Sequence, residues 1–270
     1  MATTADAFAA APLHGRDTPA SDHRFAATMA MIMAAVVVLG FSTQFLAGRS
    51  TFGSPLRVHV HAVVFMGWVA IFVAQSLLAT RGPMALHRKL GWLAVGWMIA
   101  MITAAMVVMV AVVRDGVSPF FFQPQHFLIA NPLALLGFAG LTGAAIALRR
   151  RTDWHARLHI CGMTMIMGPA FGRMLPMPLL IPYAFEAAGV AAGLFIVGGM
   201  IRDRRQIGTV HPAWWYGIAT LAVLMLASQA LANSAFGDWL YATTVAGSPG
   251  ANVPGLEFAP PPTGPLLVGR

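Results

Sequence analysis

Charge is what this sequence has least of. Asp, Glu, Lys and Arg make up 10% of its 270 residues, where an ordinary soluble domain carries roughly a quarter. There is a single cysteine, Cys161, so no internal disulfide can form, and one thiol says nothing about redox compartment. The single lysine, Lys89, lies outside the apolar interior of any block, which excludes a retinal Schiff base of the rhodopsin kind. A Walker loop, a dinucleotide fingerprint, a nucleophile elbow and a zincin box are all missing, so catalysis of the soluble type has no motif to rest on.

What the chain has instead is long apolar blocks. Hydrophobic residues make up 58% of it and the mean hydropathy is +0.71. The blocks reach the roughly 20 residues a helix needs to cross the hydrocarbon layer, and they lack strand-like alternation. Backbone groups find no water there, so each block must satisfy its own hydrogen bonds as a helix. The reading is an all-α fold, a polytopic transmembrane helix bundle of about seven spans near 25–47, 58–80, 90–113, 127–148, 154–174, 184–201 and 213–233. Residues 1–24 read as a flexible cytoplasmic tail, 25–233 as the transmembrane helical domain and 234–270 as a Pro/Gly-rich, extended periplasmic tail. The run from Phe25 is too long and too far from the start for a secretory signal peptide. Asn131-Pro132 predicts a kink in the fourth span. With no sequence repeat in view, an inverted-repeat transporter has no direct support.

The net charge of +8 follows from topology. Twelve of the 17 Lys and Arg fall on one side of such a bundle: Arg16, Arg24, Arg81, Arg88, Lys89, Arg149, Arg150, Arg151, Arg157, Arg202, Arg204 and Arg205. The other five are Arg49, Arg57, Arg114, Arg173 and Arg270. The larger set marks the cytoplasmic side, which puts the N-terminus inside and the C-terminus in the periplasm of a bacterial inner membrane. These cations face lipid head groups of the bilayer, and no nucleic-acid partner is expected.

Histidine carries the functional signal. His14 and His23 lie in the tail, and the other seven fall at or just inside span ends. His61 and His126 are at the outer level on different spans, and His87 and His159 at the inner level, so ligand types alternate out, in, out, in over four spans. A b-type haem inside a bundle needs two imidazoles from facing helices at matching depth. His155 shares a helical face with His159 and is the alternative inner ligand. Of the two, His159 is expected to be the deeper, with Asp153 as the N-cap of its helix. His59 and His211 read as interfacial. His61, Trp68 and Gln75 share one stripe of the second span, suited to the bundle interior. Arg173 is placed to meet a haem propionate, a quinone or a lipid phosphate, or to pair with Glu186. A second reading takes HARLH (His155–His159) as part of a metal site of the hydroxylase or desaturase sort. No second histidine box accompanies it.

The stretch HVHAVVFMGWVAIFVAQSLLATRGPMALHRKLGWLAVG resembles a widespread group of uncharacterised bacterial multi-spanning membrane proteins. Their shared pattern is a His opening one span, a Gln near its end, and His-Arg-x-x-Gly opening the next: here His61, Gln75, His87, Arg88 and Gly91. HARLHICGMTMIMGPAFGR is also similar to that group. The order of His61, His87, His126 and His159 is similar to that of the ascorbate-reducible two-haem b-type cytochromes, although the spacings are uneven and no ascorbate-site signature is present. The resemblance implies haem b as cofactor and a quinone or redox protein as partner. The alternatives are a haem-free accessory, transport or sensing protein and, third, a His-metal membrane enzyme.

Overall fold

The structure, a computed structural model, describes residues 19–50 and 52–261. Nine α-helices follow one another among them: α1 (Pro19–Leu46), α2 (Leu56–Arg81), α3 (Met84–Arg114), α4 (Pro124–Ala147), α5 (Thr152–Met165), α6 (Gly168–Met174), α7 (Ala184–Gln206), α8 (Pro212–Ala232) and α9 (Ala235–Val245). Six of them, α1 to α4, α7 and α8, are long and apolar enough to cross a membrane, and the chain is an all-α bundle of that kind. Leu39, Trp92, Leu136 and Leu226 stand exposed on its outer surface, where a bilayer takes the place of water.

The fifth apolar block is broken in two. Pro169 has no N–H to give to the Met165 carbonyl, and its ring crowds that turn, so α5 stops at Met165 and α6 starts afresh at Gly168. The fifth expected span, 154–174, is therefore a pair of short helices. Pro132 has no such effect. It lies inside a continuous α4, whose Asn131 side chain donates to the Phe127 carbonyl at 2.8 Å.

Consecutive helices run up and down, which gathers alternate helix ends. The starts of α1, α3, α5 and α8 and the ends of α2, α4 and α7 form the arginine-rich end. At the opposite end Gln44, near the end of α1, donates to the Arg173 carbonyl of α6 at 2.8 Å. The core between them is built from Met33, Trp68, Met101, Phe138, Cys161, Ile196 and Trp214. Glycine lets α8 lie directly on α5: a Cβ at Gly217 would come within 2.3 Å of Cys161 Sγ.

Two terminal expectations change. α1 begins at Pro19, so residues 19–24 are helical rather than tail. Residues 1–18 and 262–270 lie outside the described residues, Arg16, His14 and Arg270 among them. The segment 235–261 is folded, not extended. Ser234 caps α9 by accepting from the Gly237 N–H at 3.3 Å, and Tyr241 and Val245 pack on Met109, Val113 and Leu128. The chain beyond α9 then turns back over α4, where Gln125 N–H donates to the Gly255 carbonyl at 2.8 Å. A Pro/Gly-rich composition forbids regular structure without forbidding a fixed path, and Tyr241 fixes this one by donating to the Val253 carbonyl at 2.9 Å.

Candidate functional site

Helix starts place the histidines of the arginine-rich end. Pro83 precedes α3 and puts His87 in its first turn; α5 starts at Thr152 and carries His155 in its first turn and His159 one turn on. His87 Nδ1 lies 3.2 Å from the Gln75 carbonyl of α2, and His155 Nδ1 lies 2.7 Å from the Ala145 carbonyl of α4. A carbonyl only accepts, so each Nδ1 carries the ring proton and each Nε2 keeps its lone pair. The two rings stand 6.4 Å apart, at 75° to one another. His159 packs edge-on against His155 at 4.6 Å. His23, read from the sequence as part of the tail, is on α1 and within electrostatic reach of both His87 and His155. The ring across from His87 is therefore His155, with His159 behind it.

Two Nε2 atoms bound to one metal at roughly 2 Å each would hold their ring centroids about 6 Å apart. The His87–His155 pair has that separation, and the carbonyls behind each ring fix its tautomer as ligand histidines require. Among the described residues no three His, Cys, Asp or Glu side chains are grouped to hold a bare ion. Two imidazoles would suit a haem, whose macrocycle would supply the remaining ligands.

The histidines of the opposite end have separate neighbourhoods. His61 stacks on Phe65 at 4.2 Å, with the Ala104 carbonyl of α3 beside it and Arg173 of α6 in electrostatic reach. His126 is buried among α4, α7 and α8: its Nε2 lies 3.0 Å from Ser228 Oγ and its ring 4.9 Å from that of Phe185. Ser228 gives its own proton to the Met225 carbonyl, so His126 Nε2–H must donate to it. The two rings share no contact and no partner. Arg173 and Glu186 do not pair either. The Arg173 guanidinium donates to the Pro169 carbonyl at 2.8 Å and lies 4.1 Å from the centre of the Phe41 ring, while Glu186 accepts from Gln229.

Sequence reasoning missed the ionic lattice beside the histidine cluster. Arg157 is 3% exposed and bonds Asp203 of α7 at 2.9 Å and Asp22 of α1 at 2.8 Å. Asp203 also accepts from Trp214 Nε1 of α8 at 2.7 Å and from Arg202 at 3.1 Å. Asp153 is not an N-cap, a place taken by Arg151. Asp153 accepts instead from His211 Nε2 at 3.0 Å, while His211 Nδ1 caps α8 through the Ala213 N–H. A signal was present: in a chain with 9 acidic residues, Asp22, Asp153 and Asp203 all fall among the arginines. Comparison with known proteins finds no matching family model and no match among curated proteins or solved structures, so the geometry alone carries the functional reading.

Proposed function

We propose that this integral membrane protein is a b-type cytochrome-like electron carrier with one haem at its arginine-rich end, where His87 and His155 would hold it. The observation that carries the reading is the facing pair of imidazoles, 6.4 Å apart, each with Nδ1 tied to a backbone carbonyl. Arg149, within electrostatic reach of His155, supports it by offering a cation to a propionate. Bound haem would supply one-electron chemistry there, exchanged with a quinone or a redox protein. The separate settings of His61 and His126 favour one haem over two. The same reading places the arginine-rich end in the cytoplasm of a bacterial inner membrane, from the excess of basic residues.

Protein purified in mild detergent should show a Soret band and sharp alpha bands on reduction with dithionite. His87→Ala and His155→Ala should each abolish them, whereas His159→Ala should shift them while keeping haem. Loss with His159→Ala and retention with His155→Ala would transfer the ligand role to the deeper ring. A colourless preparation from haem-replete cells would reject the haem and leave a haem-free transport or sensing role. Reporter fusions test orientation: one near Arg150 should be cytoplasmic and one after Arg270 periplasmic.

A further inference from the structure

Helices α2 and α3 form a hairpin that is grooved at both ends. At the arginine-rich end Ala74, Leu77, Leu78 and Arg81 of α2 face Leu86 and Leu90 of α3 across a groove of about 460 Å³. The α2 residues recur at i, i+3, i+4 and i+7, which places them on one stripe of the helix. Ala74 keeps the groove deep with its single methyl, and Gly82 keeps its mouth open, since a Cβ there would come within 2.5 Å of Leu78 Cδ2. At the opposite end a groove of about 500 Å³ runs between Arg57 of α2 and Met106, Val110 and Arg114 of α3, with Asp115 among its walls.

The two grooves match in size and in apolar lining, and differ in charge. At the opposite end Asp115 neutralises Arg57 at 2.6 Å, and Arg114 donates to the Thr244 carbonyl at 2.6 Å. At the arginine-rich end Arg81 is exposed, and its guanidinium has neither a hydrogen bond nor an ion pair among the described residues. Exposed Lys89 stands three residues from Leu86, on the same side of α3, and adds a second cation. No Asp or Glu occurs in the chain between Arg57 and Asp115. The acids that the fold brings to this end, Asp22, Asp153 and Asp203, are held by Arg157, Arg202 and His211. An apolar trough with an unneutralised cation at its mouth complements an amphiphile with an anionic head. A neutral amphiphile leaves the arginine without a counter-charge, and a soluble anion leaves the trough empty.

We propose that this groove binds an anionic phospholipid, its phosphate on Arg81 and one acyl chain along Ala74, Leu77 and Leu78. A guanidinium meets a phosphate through two parallel N–H groups, which fixes the head group as well as attracting it. At ~1.5 Å per residue the stripe from Arg81 to Ala74 is about 10 Å long, roughly two thirds of the ~15 Å that one leaflet contributes to the hydrocarbon layer. The upper part of the chain therefore packs on protein and its end reaches the surrounding bilayer. The groove at the opposite end, neutralised from within, does not select for head-group charge. Lipid binds whether or not haem does.

The test titrates full-length protein in mild detergent with dioleoyl phosphatidylglycerol or dioleoyl phosphatidylcholine, which share their chains and differ in charge, and counts bound lipid by native mass spectrometry. The first phosphatidylglycerol should bind at least about tenfold more tightly than phosphatidylcholine, as two nearby cations warrant. Arg81→Gln should weaken phosphatidylglycerol by about fivefold, the worth of one cation beside an anionic head group, and leave phosphatidylcholine unchanged. Ala74→Phe fills the groove and should weaken phosphatidylglycerol to a similar degree, while Arg57→Gln at the other groove should not. Arg81 is exposed and holds no other residue, so its variant reads binding even if Ala74→Phe fails to fold. Equal affinity for the two lipids, or indifference to Arg81→Gln, overturns the proposal. Displacement of the lipid by glycerol 3-phosphate would reduce the site to one for free phosphate, and a dimer lost on Ala74→Phe would give the groove to a second copy of the chain. Either result also overturns it.

Discussion

At the arginine-rich end, α1, α5, α7 and α8 meet on charge: Asp22 and Asp203 grip Arg157 and Arg202, Trp214 donates to Asp203, and His211 donates to Asp153. At the opposite end the helices meet through separate hydrogen bonds and apolar contacts. Gln125 donates to the Ala232 carbonyl and to Asp238, Gln44 to a backbone carbonyl, His126 to a serine, and α9 folds over α3 and α4 on apolar side chains. The difference follows from topology. An end that collects most of the chain's cations must neutralise those that packing buries, because an unpaired buried charge costs several kcal/mol. An end with few cations can close with single hydrogen bonds of about 1 kcal/mol each. One end is a cooperative lattice and the other a set of separable contacts.

Breaking the lattice should have the largest effect. Asp203 is fully buried and accepts from Arg157, Arg202 and Trp214, so Asp203→Ala should cost about 3–5 kcal/mol, read as a large fall in thermal midpoint in mild detergent. A midpoint close to that of the native protein would show that the lattice is not what holds this end. Next comes Gly199→Ala. A Cβ there would meet the Trp214 ring at 2.3 Å and push the indole off Asp203, for about 1–3 kcal/mol. If the loss is smaller in an Asp203→Ala background, the two residues act through one contact.

At the opposite end Tyr241→Phe should cost about 1 kcal/mol, since it removes the bond to the Val253 carbonyl but keeps the ring in its pocket. Burial pushes the Tyr241 phenol above its ordinary value of 10.0. The unfolded chain therefore ionises first as pH rises, and the docking of α9 weakens above about pH 10. Protease access to residues 246–261 should rise across that range in the native protein and change less in Tyr241→Phe. The smallest effect belongs to the Arg57–Asp115 pair. With side chains 36% and 46% exposed, Arg57→Ala should shift stability by less than about 1 kcal/mol. A loss matching that of Asp203→Ala would erase the contrast between the ends.

Helix order and the end at which each histidine sits were legible, because a span's hydrophobicity and its flanking charges are properties of neighbouring residues. Pairing was harder to read. His61 and His126 share a level but point into different helix contacts, and His87 meets His155 although His159 is the deeper of the two. Depth accumulates at a fixed rise per residue, whereas azimuth depends on which helices pack together. Asp203 likewise falls beyond the sixth expected span, 184–201, because a run such as Arg-Asp-Arg-Arg gives no hint that α7 continues to Gln206 and turns one carboxylate inward.

By itself the sequence determined that the chain is an all-helical membrane protein. With so few charges and blocks this long, no other structure satisfies the backbone out of water. It did not by itself determine the break at Pro169, since Pro132 lacks the same N–H and lies inside a continuous α4. Tertiary structure decided the rest: that His23 joins His87 and His155, that Arg157 is neutralised from two other helices, and that a Pro/Gly-rich tail takes a fixed path over α4. Each of these joins residues far apart in the chain, and only the packing of whole helices brings such partners within hydrogen-bonding distance.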